Sequence, residues 1–269
     1  MKDAPIGFFD SGIGGITVLG EALKQLPCEN YIYYADTDHV PYGTKDKAQV
    51  KQYIFEAVEF LVNKKIKALV VACNTATSIA VRELRGMYNF PIVGMEPAVK
   101  PAVQKGNGTG KRVLVFATPL TLQEEKFHNL VQRVDQEHVV DYLPFPELVE
   151  CAEKNIFDDE TMIPIITNKL KNFDMSTYKT IVLGCTHFPI YRSTFKKILP
   201  EDIDIIDGSS GTIRYLKRLL EEADLLGGYS NCPTPTIPYD VNIDFYCSGK
   251  QIKEPNHIKT FYDILERIK

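Results

Sequence analysis

Short apolar runs alternate along the chain with longer segments in which apolar positions recur at every third or fourth residue. The short runs are typical of strands buried on both faces, and the segment from Val50 to Val62 has the spacing of an amphipathic helix. The predicted strands are 6–9, 31–35, 67–72, 91–95, 112–117, 138–143, 179–184 and 203–207, and the later helices are 75–88, 121–134, 159–171, 189–199, 210–222 and 257–268. Strands that alternate with helices predict an α/β fold with parallel sheets.

Two of the apolar runs end in the same way. Cys73 and Cys185 each follow a predicted buried strand, and Asn or Thr residues suited to a helix start come directly after them. Side chains at this point of a parallel strand lie at the sheet edge where open α/β sheets bind ligands. The repeat indicates two similar α/β units whose thiols face one substrate. The glycine-rich stretch 106–110 marks the crossing between the units, near residues 97–110.

Composition narrows the class of protein. The chain has 269 residues, of which 44% are hydrophobic and 25% are charged, as in globular proteins. The net charge of −4 and the lack of a basic block argue against a nucleic-acid partner. No apolar run reaches the roughly 18–20 residues of a membrane helix, so no membrane partner is expected. No signal-peptide core follows Met1, which predicts a cytoplasmic location.

Six cysteines stand at positions 28, 73, 151, 185, 232 and 247. Without an export signal or a C-x-x-C motif, we expect reduced thiols rather than a disulfide framework or a zinc site. No metal ligand set is predicted.

Two further polar motifs follow predicted strands. Asp10 and Ser11 are expected at the same sheet edge as Cys73. The Asp10 carboxylate could orient or deprotonate the Cys73 thiol, or it could cap the next helix. Pro41, Tyr42 and Gly43 predict a rigid turn that exposes a backbone N–H and a phenol, or a turn with no further role. The glycines at 12, 14 and 15 do not have the spacing of a dinucleotide fingerprint, so a tight turn is expected there.

A pair of thiols suits one particular reaction. An ordinary thiol has a pKa near 8.5, and a helix N-terminus lowers that pKa, so a thiol can act as a general base near neutral pH. To invert a carbon that bears a hydrogen, one base removes the proton from one face and an acid delivers a proton to the other. Cys73 and Cys185, carried by opposing units, fit that geometry.

The chain resembles the glutamate racemases. The resemblance rests on five motifs in order: Asp-Ser-Gly-Ile-Gly-Gly at 10–15, Pro-Tyr-Gly at 41–43, Ala-Cys-Asn-Thr-Ala-Thr at 72–77, Glu-Pro-Ala-Val-Lys-Pro-Ala at 96–102 and Leu-Gly-Cys-Thr-His-Phe-Pro at 183–189. It implies two doubly wound α/β domains, residues 1–97 plus 208–269 and residues 98–207, with the active site in the cleft between them. It also implies a homodimer without a cofactor that supplies D-glutamate for peptidoglycan synthesis.

The resemblance also implies roles for single residues. Cys73 takes the α-proton of D-glutamate with the help of Asp10, and Cys185 takes that of L-glutamate with the help of His187. The residues implied to hold the substrate are Asp10, Ser11, Tyr42, Gly43, Asn74, Thr75, Thr118, Thr121, Thr186 and His187.

Two segments depart from the family pattern. The family loop Cys-Pro-x-x-Val-Pro-x-Val-Glu, whose Glu supports the second thiol, reads Leu-Pro-Phe-Pro-Glu-Leu-Val-Glu at 143–150 here. We expect Glu150 to take that role, with Glu147 as the alternative. After the Thr118–Thr121 pair, Glu124 and Phe127 stand where the family often has Ser and Tyr.

Three other functions stay open at this point. The chain could racemise another acidic amino acid, such as aspartate. A thiol hydrolase would use Cys185 as the nucleophile with His187, but this leaves Cys73 without a role. A non-catalytic interaction role, such as the gyrase binding reported for some glutamate racemases, has no feature of its own in the sequence.

Overall fold

The structure is a computed structural model that describes residues 2–106, 108–227 and 243–268. Its strands are β1 (Ile6–Asp10), β2 (Tyr31–Ala35), β3 (Ala68–Val71), β4 (Ile92–Gly94), β5 (Arg112–Ala117), β6 (Val140–Pro144), β7 (Tyr178–Leu183), β8 (Asp204–Asp207), β9 (Ile243–Cys247) and β10 (Lys250–Gln251).

Helices connect the strands. They are α1 (Ile16–Gln25), α2 (Lys47–Asn63), α3 (Asn74–Met87), α4 (Val99–Gly106), α5 (Pro119–Gln123), α6 (Glu125–Val134), α7 (Pro146–Glu153), α8 (Asp159–Leu170), α9 (Arg192–Ile198), α10 (Ser209–Glu222) and α11 (Pro255–Arg267). Single 3₁₀ turns cover Tyr42–Thr44, Met175–Thr177 and Phe188–Tyr191.

The strands form two sheets. The first has the order β10-β9-β2-β1-β3-β4 and is parallel except for β10, which pairs antiparallel with β9. The second has the order β6-β5-β7-β8 and is parallel throughout. The predicted α/β class with parallel sheets is confirmed. The first sheet uses residues 6–94 and 243–251 and the second uses residues 112–207, while the domain boundaries at 97 and 207 stay a prediction.

One apolar cluster runs through both sheets. It contains Phe8 and Tyr33 of the first sheet together with Leu114, Phe116 and Ile181 of the second. The two halves therefore share core side chains, and separating them completely would expose apolar surface to water.

The pattern of apolar positions missed some elements. It predicts one helix over 121–134, whereas an extended residue, Glu124, separates α5 from α6. It predicts neither α4, α7 nor β9. Both α7 and β9 are short, and α7 begins at a proline, which is tolerated in the first turn of a helix.

The cysteines differ from expectation at one position. Cys28 is disulfide-bonded, so the expectation of reduced thiols is wrong for this residue. Cys73, Cys151, Cys185 and Cys247 carry free thiols, and Cys232 lies outside the described residues. In the described part of the chain, no helix has both the length and the apolar content needed to cross a bilayer.

The C-terminal segment is expected to stabilise the first sheet. Phe245 of β9 is buried and stacks on Phe261 of α11, with ring centroids 4.6 Å apart. We predict that Phe245→Ala lowers the free energy of unfolding by about 3–5 kcal/mol, because it opens a cavity in the core. Chemical denaturation measures the change. Met87→Ala, at a residue that is 57% exposed, is the control and should change stability by less than about 0.5 kcal/mol. Equal effects would contradict this role of β9.

Candidate active site

Cys73 lies at the carboxyl end of β3 and caps the N-terminus of α3. Its extended backbone places the sulfur over the first turn, where the Ala76 N–H donates to Sγ at 3.4 Å. The Sγ also lies 3.8 Å from the hydroxyl oxygen of Ser11, which follows β1. The thiol is thus held at the predicted sheet edge by backbone and side-chain contacts from two strands.

Burial controls the ionisation of this thiol. It raises the pKa of Cys73 to about 12, and the negative charge of Asp10 acts in the same direction. The Ala76 N–H and the Ser11 hydroxyl lower the pKa by less. Desolvation disfavours the thiolate more strongly than the helix N-terminus favours it, so the expectation that the helix N-terminus makes Cys73 a ready base near neutral pH is wrong.

Cys185 follows β7 of the second sheet and has different partners. Its Sγ lies 3.6 Å from His187 Nδ1, and His187 Nε2 lies 2.6 Å from Glu153 Oε1. The same oxygen of Glu153 accepts the Ile13 N–H at 2.9 Å, so this carboxylate of α7 also contacts the first half of the chain. The three side chains form a line of contacts from the thiol to a carboxylate.

The histidine in this line has a raised pKa. Burial lowers the pKa of His187, but the hydrogen bonds to Cys185 and Glu153 and their negative charges outweigh burial and raise it well above its usual value. The ring therefore lies between the second thiol and Glu153, and both neighbours favour its protonated form. It can donate to the Cys185 sulfur and stabilise negative charge there.

Asp10 joins the two halves at the centre of the site. Its carboxylate is fully buried and accepts the Gly12 N–H at 3.0 Å and the Thr186 hydroxyl at 3.1 Å. Gly15, not Asp10, occupies the N-cap of α1, so the alternative role of Asp10 as the cap of that helix is not supported. Burial raises the pKa of Asp10 to about 6, although the nearby positive charge of His187 lowers it.

Three threonine hydroxyls meet between the halves on the Cys73 side. Thr75 Oγ1 of α3 lies 2.9 Å from Thr118 Oγ1 and 3.0 Å from Thr121 Oγ1 of the second half. Gly43 closes the same region, because a Cβ on this glycine would lie 2.4 Å from the Thr118 Cβ. The cluster offers hydroxyl donors and acceptors from both halves within a few ångströms.

Tyr42 and Asn74 are oriented by neighbours. The Tyr42 phenol is buried and donates to Asp36 Oδ2 at 2.5 Å, so the prediction of an exposed phenol is wrong. Burial also raises the pKa of the Tyr42 phenol. Asn74 donates through Nδ2 to the Met95 carbonyl at 3.2 Å, while its buried Oδ1 has no partner among the described residues. Asn74 therefore presents an unused acceptor in the interior.

The structure brings together all of the predicted site residues except the acidic residue of the 143–150 segment. Glu150 is exposed, and Glu147 forms an ion pair with Lys169. The carboxylate against His187 belongs to Glu153, one turn further along α7. The sequence could have suggested it, since residues three apart share a helix face, but the predicted elements did not include α7. No cluster of three or more His, Cys, Asp or Glu side chains suited to a metal ion occurs in the described ranges.

Comparisons of the sequence agree with this geometry. The sequence model of the family described as Asp/Glu/Hydantoin racemase matches residues 18–216. The chain is 57% identical over 263 residues to the glutamate racemase of Halothermothrix orenii, covering 98% of this chain and 99% of that one. It is 51% identical over 261 residues to glutamate racemase 2 of Bacillus subtilis, covering 97% and 95%.

Solved structures show the same fold. The glutamate racemase of Francisella tularensis in complex with D-glutamate matches with a TM-score of 0.80 and 26% identity, over 99% of this chain and 95% of that one. The Escherichia coli glutamate racemase in complex with L-glutamate and the activator UDP-MurNAc-ala matches with a TM-score of 0.80 and 28% identity, over 98% and 95%.

The buried carboxylate of Asp10 is expected to cost stability at neutral pH. The unfolded chain releases this proton near pH 3.8, whereas the folded chain holds it up to about pH 6, so folding loses stability as pH rises between these values. We predict that Asp10→Asn is more stable than the wild type at pH 7 by on the order of 3 kcal/mol, and that the difference disappears below about pH 4.

Denaturation midpoints of both proteins between pH 4 and pH 8 measure this difference. A stability difference that does not change with pH would contradict the raised pKa of Asp10.

Proposed function

Because the chain belongs to the Asp/Glu/Hydantoin racemase family, we propose that it interconverts L- and D-glutamate by a two-base mechanism that uses Cys73 and Cys185. The chain is an amino-acid racemase, an isomerase. The observation that carries the mechanism is the pair of buried thiols at the carboxyl ends of strands in two facing sheets, each with its own polar partners. One thiol on each side of the substrate is what inversion of a carbon requires.

The two thiols have unequal surroundings. Hydrogen bonds to Cys185 and Glu153 raise the pKa of His187, so a protonated His187 can donate to the Cys185 sulfur, whereas burial keeps Cys73 protonated. The enzyme is thus arranged for Cys185 to remove the α-proton. The C–H bond breaks, its electron pair is delocalised into the α-carboxylate, and Cys73 delivers a proton to the opposite face to form the new C–H bond.

The resemblance assigns this direction to L-glutamate. In the reverse direction Cys73 must first lose its proton, and the nearby carboxylate of Asp10, whose pKa is about 6, assists that step. His187 then assists protonation of the product by Cys185. The two directions therefore rely on different helpers, a carboxylate on one side and an imidazolium on the other.

The polar groups between the halves suit an amino acid with two carboxylates. The hydroxyls of Thr75, Thr118 and Thr121, together with the backbone at Tyr42 and Gly43, are donors for carboxylate oxygens. The unpartnered Oδ1 of Asn74 is an acceptor for the ammonium group. Ser11 and Thr186 stand beside Cys73 and Asp10 and complete the binding surface.

The biological setting follows from this activity. We propose a homodimer that works in the cytoplasm and supplies D-glutamate for peptidoglycan synthesis. The reaction needs neither a cofactor nor a metal, because the two thiols and their partners carry every proton. We propose Glu153, rather than Glu150 or Glu147, as the carboxylate that supports His187.

The first experiment tests the two bases. We predict that Cys73→Ser and Cys185→Ser each lower kcat by about a hundredfold or more in both directions, because a base on one face is lost. Circular dichroism follows racemisation of L- and D-glutamate, and α-proton NMR in deuterium oxide follows exchange. Cys151→Ser, at a free cysteine of α7, is the control and should keep wild-type rates.

A thiol hydrolase would tolerate Cys73→Ser. Faster turnover of aspartate than of glutamate would contradict the proposed substrate.

A second experiment tests Glu153 against Glu150. In Glu153→Gln the negative charge that raises the pKa of His187 is lost, so the imidazolium deprotonates at lower pH. We predict that the alkaline limb of the kcat profile for L-glutamate moves to lower pH and that kcat falls by about tenfold. Glu150→Gln, at an exposed residue of the same helix, is the matched variant and should leave the profile unchanged. A shift in Glu150→Gln alone would assign the role to Glu150.

A further inference from the structure

An ion pair outside the catalytic groups joins the two halves. Lys47 Nζ lies 2.8 Å from Glu124 Oε2. Lys47 is the first residue of α2 in the first half, and Glu124 is the extended residue between α5 and α6 in the second half. The lysine side chain is 56% exposed but the glutamate side chain is only 7% exposed, so the pair lies where the interface meets solvent.

The ion pair lies next to the threonine cluster near Cys73 through which the two halves contact each other. In the first half, the turn that contains Gly43 lies shortly before α2, which begins at Lys47. On the other side, Thr118 and Thr121 directly precede Glu124. Since Gly43 packs on Thr118 and Thr75 contacts both threonines, these contacts form only when the halves are close. The ion pair therefore accompanies the closed arrangement of the two halves and stabilises it.

The contribution of this ion pair to the free energy of closure depends on Glu124, the buried member of the pair. In the closed arrangement Glu124 is buried, and among the ion pairs of the described residues its partner is Lys47. Without Lys47 the closed state would hold an unpaired buried carboxylate, which is strongly unfavourable. When the halves move apart, water can solvate both charges, so the open state does not need the pair.

We propose that Lys47 and Glu124 form an interdomain latch that stabilises the closed cleft around the bound dicarboxylate and breaks to let substrate and product pass. The inference rests on the proposed racemase function. It assigns Lys47 and Glu124 as positioning residues, not catalytic ones. Glu124 stands where the family pattern often has Ser, so the latch is a property of this sequence rather than of the family motifs.

Four variants test the latch: Lys47→Met, Glu124→Gln, the double variant of both, and Lys51→Met. Lys51 is the matched control, because it lies one turn further along α2 and pairs with Glu83 of the same half at 2.7 Å, with both side chains exposed. Two readouts are used. Steady-state kinetics with L- and D-glutamate give kcat and KM, and the alkylation rate of Cys73, mapped by mass spectrometry on the substrate-free enzyme, reports opening of the cleft.

We expect Lys47→Met to raise KM by about tenfold while kcat changes by less than about twofold, because closure is disfavoured but the closed site is unaltered. Alkylation of Cys73 should become faster by a similar factor. The double variant should recover most of both effects, since the neutral amide introduced by Glu124→Gln no longer needs a cation. Lys51→Met should match the wild type in both readouts.

Two results would overturn the latch: Lys47→Met indistinguishable from Lys51→Met, or a double variant no better than Lys47→Met. Failure of the proposed function looks different. If the wild type does not racemise glutamate, the function is wrong, yet the alkylation rates still decide whether the ion pair holds the cleft closed.

Discussion

The site depends on one constraint: the carboxyl ends of two parallel sheets face each other with little room for water between them. Asp10 shows the consequence, because its fully buried carboxylate takes one hydrogen bond from its own half and one from Thr186 of the other half. In such a place charges are poorly solvated and each interaction between them is stronger than in water. This is why the carboxyl of Asp10 and the thiol of Cys73 both have raised pKa values.

The two halves surround their buried thiols with different hydrogen-bond partners. Cys73 has only neutral partners, since its thiol donates to the Ser11 hydroxyl and accepts the Ala76 N–H, and burial keeps it protonated. Cys185 lies beside the imidazole of His187, whose pKa is raised by its hydrogen bonds to Cys185 and Glu153. In the proposed two-base mechanism one thiol acts as the acid and the other as the base, and these unequal surroundings favour a different starting role for each. Part of this difference is visible in the sequence, where His187 follows Cys185 by two residues and Thr75 stands at the matching place after Cys73.

The glycines at the start of the chain serve close approach between the halves rather than phosphate binding. A Cβ on Gly12 would overlap the Glu153 carboxylate, and a Cβ on Gly14 would lie 2.4 Å from His187 Nδ1. The absent side chains thus make space for His187 and Glu153, the two side chains in line with Cys185. On the opposite side of the site, the pair of Lys47 and Glu124 joins the halves through charge. The first contact region belongs to the proposed chemistry, and the second is the proposed latch.

The sequence by itself determined the alternation of strands and helices and the placement of both thiols at strand ends, because apolar spacing and chain order are local properties. The tertiary structure decided three features that depend on distant residues. Glu153 rather than Glu150 meets His187, because the last residue of α7, and not the turn before it, lies beside the segment that follows β7. β9 joins the first sheet through pairing with β2, far away in the chain. The pKa of Cys73 rises because the folded chain buries the thiol, and burial depends on distant residues that a local sequence motif does not contain.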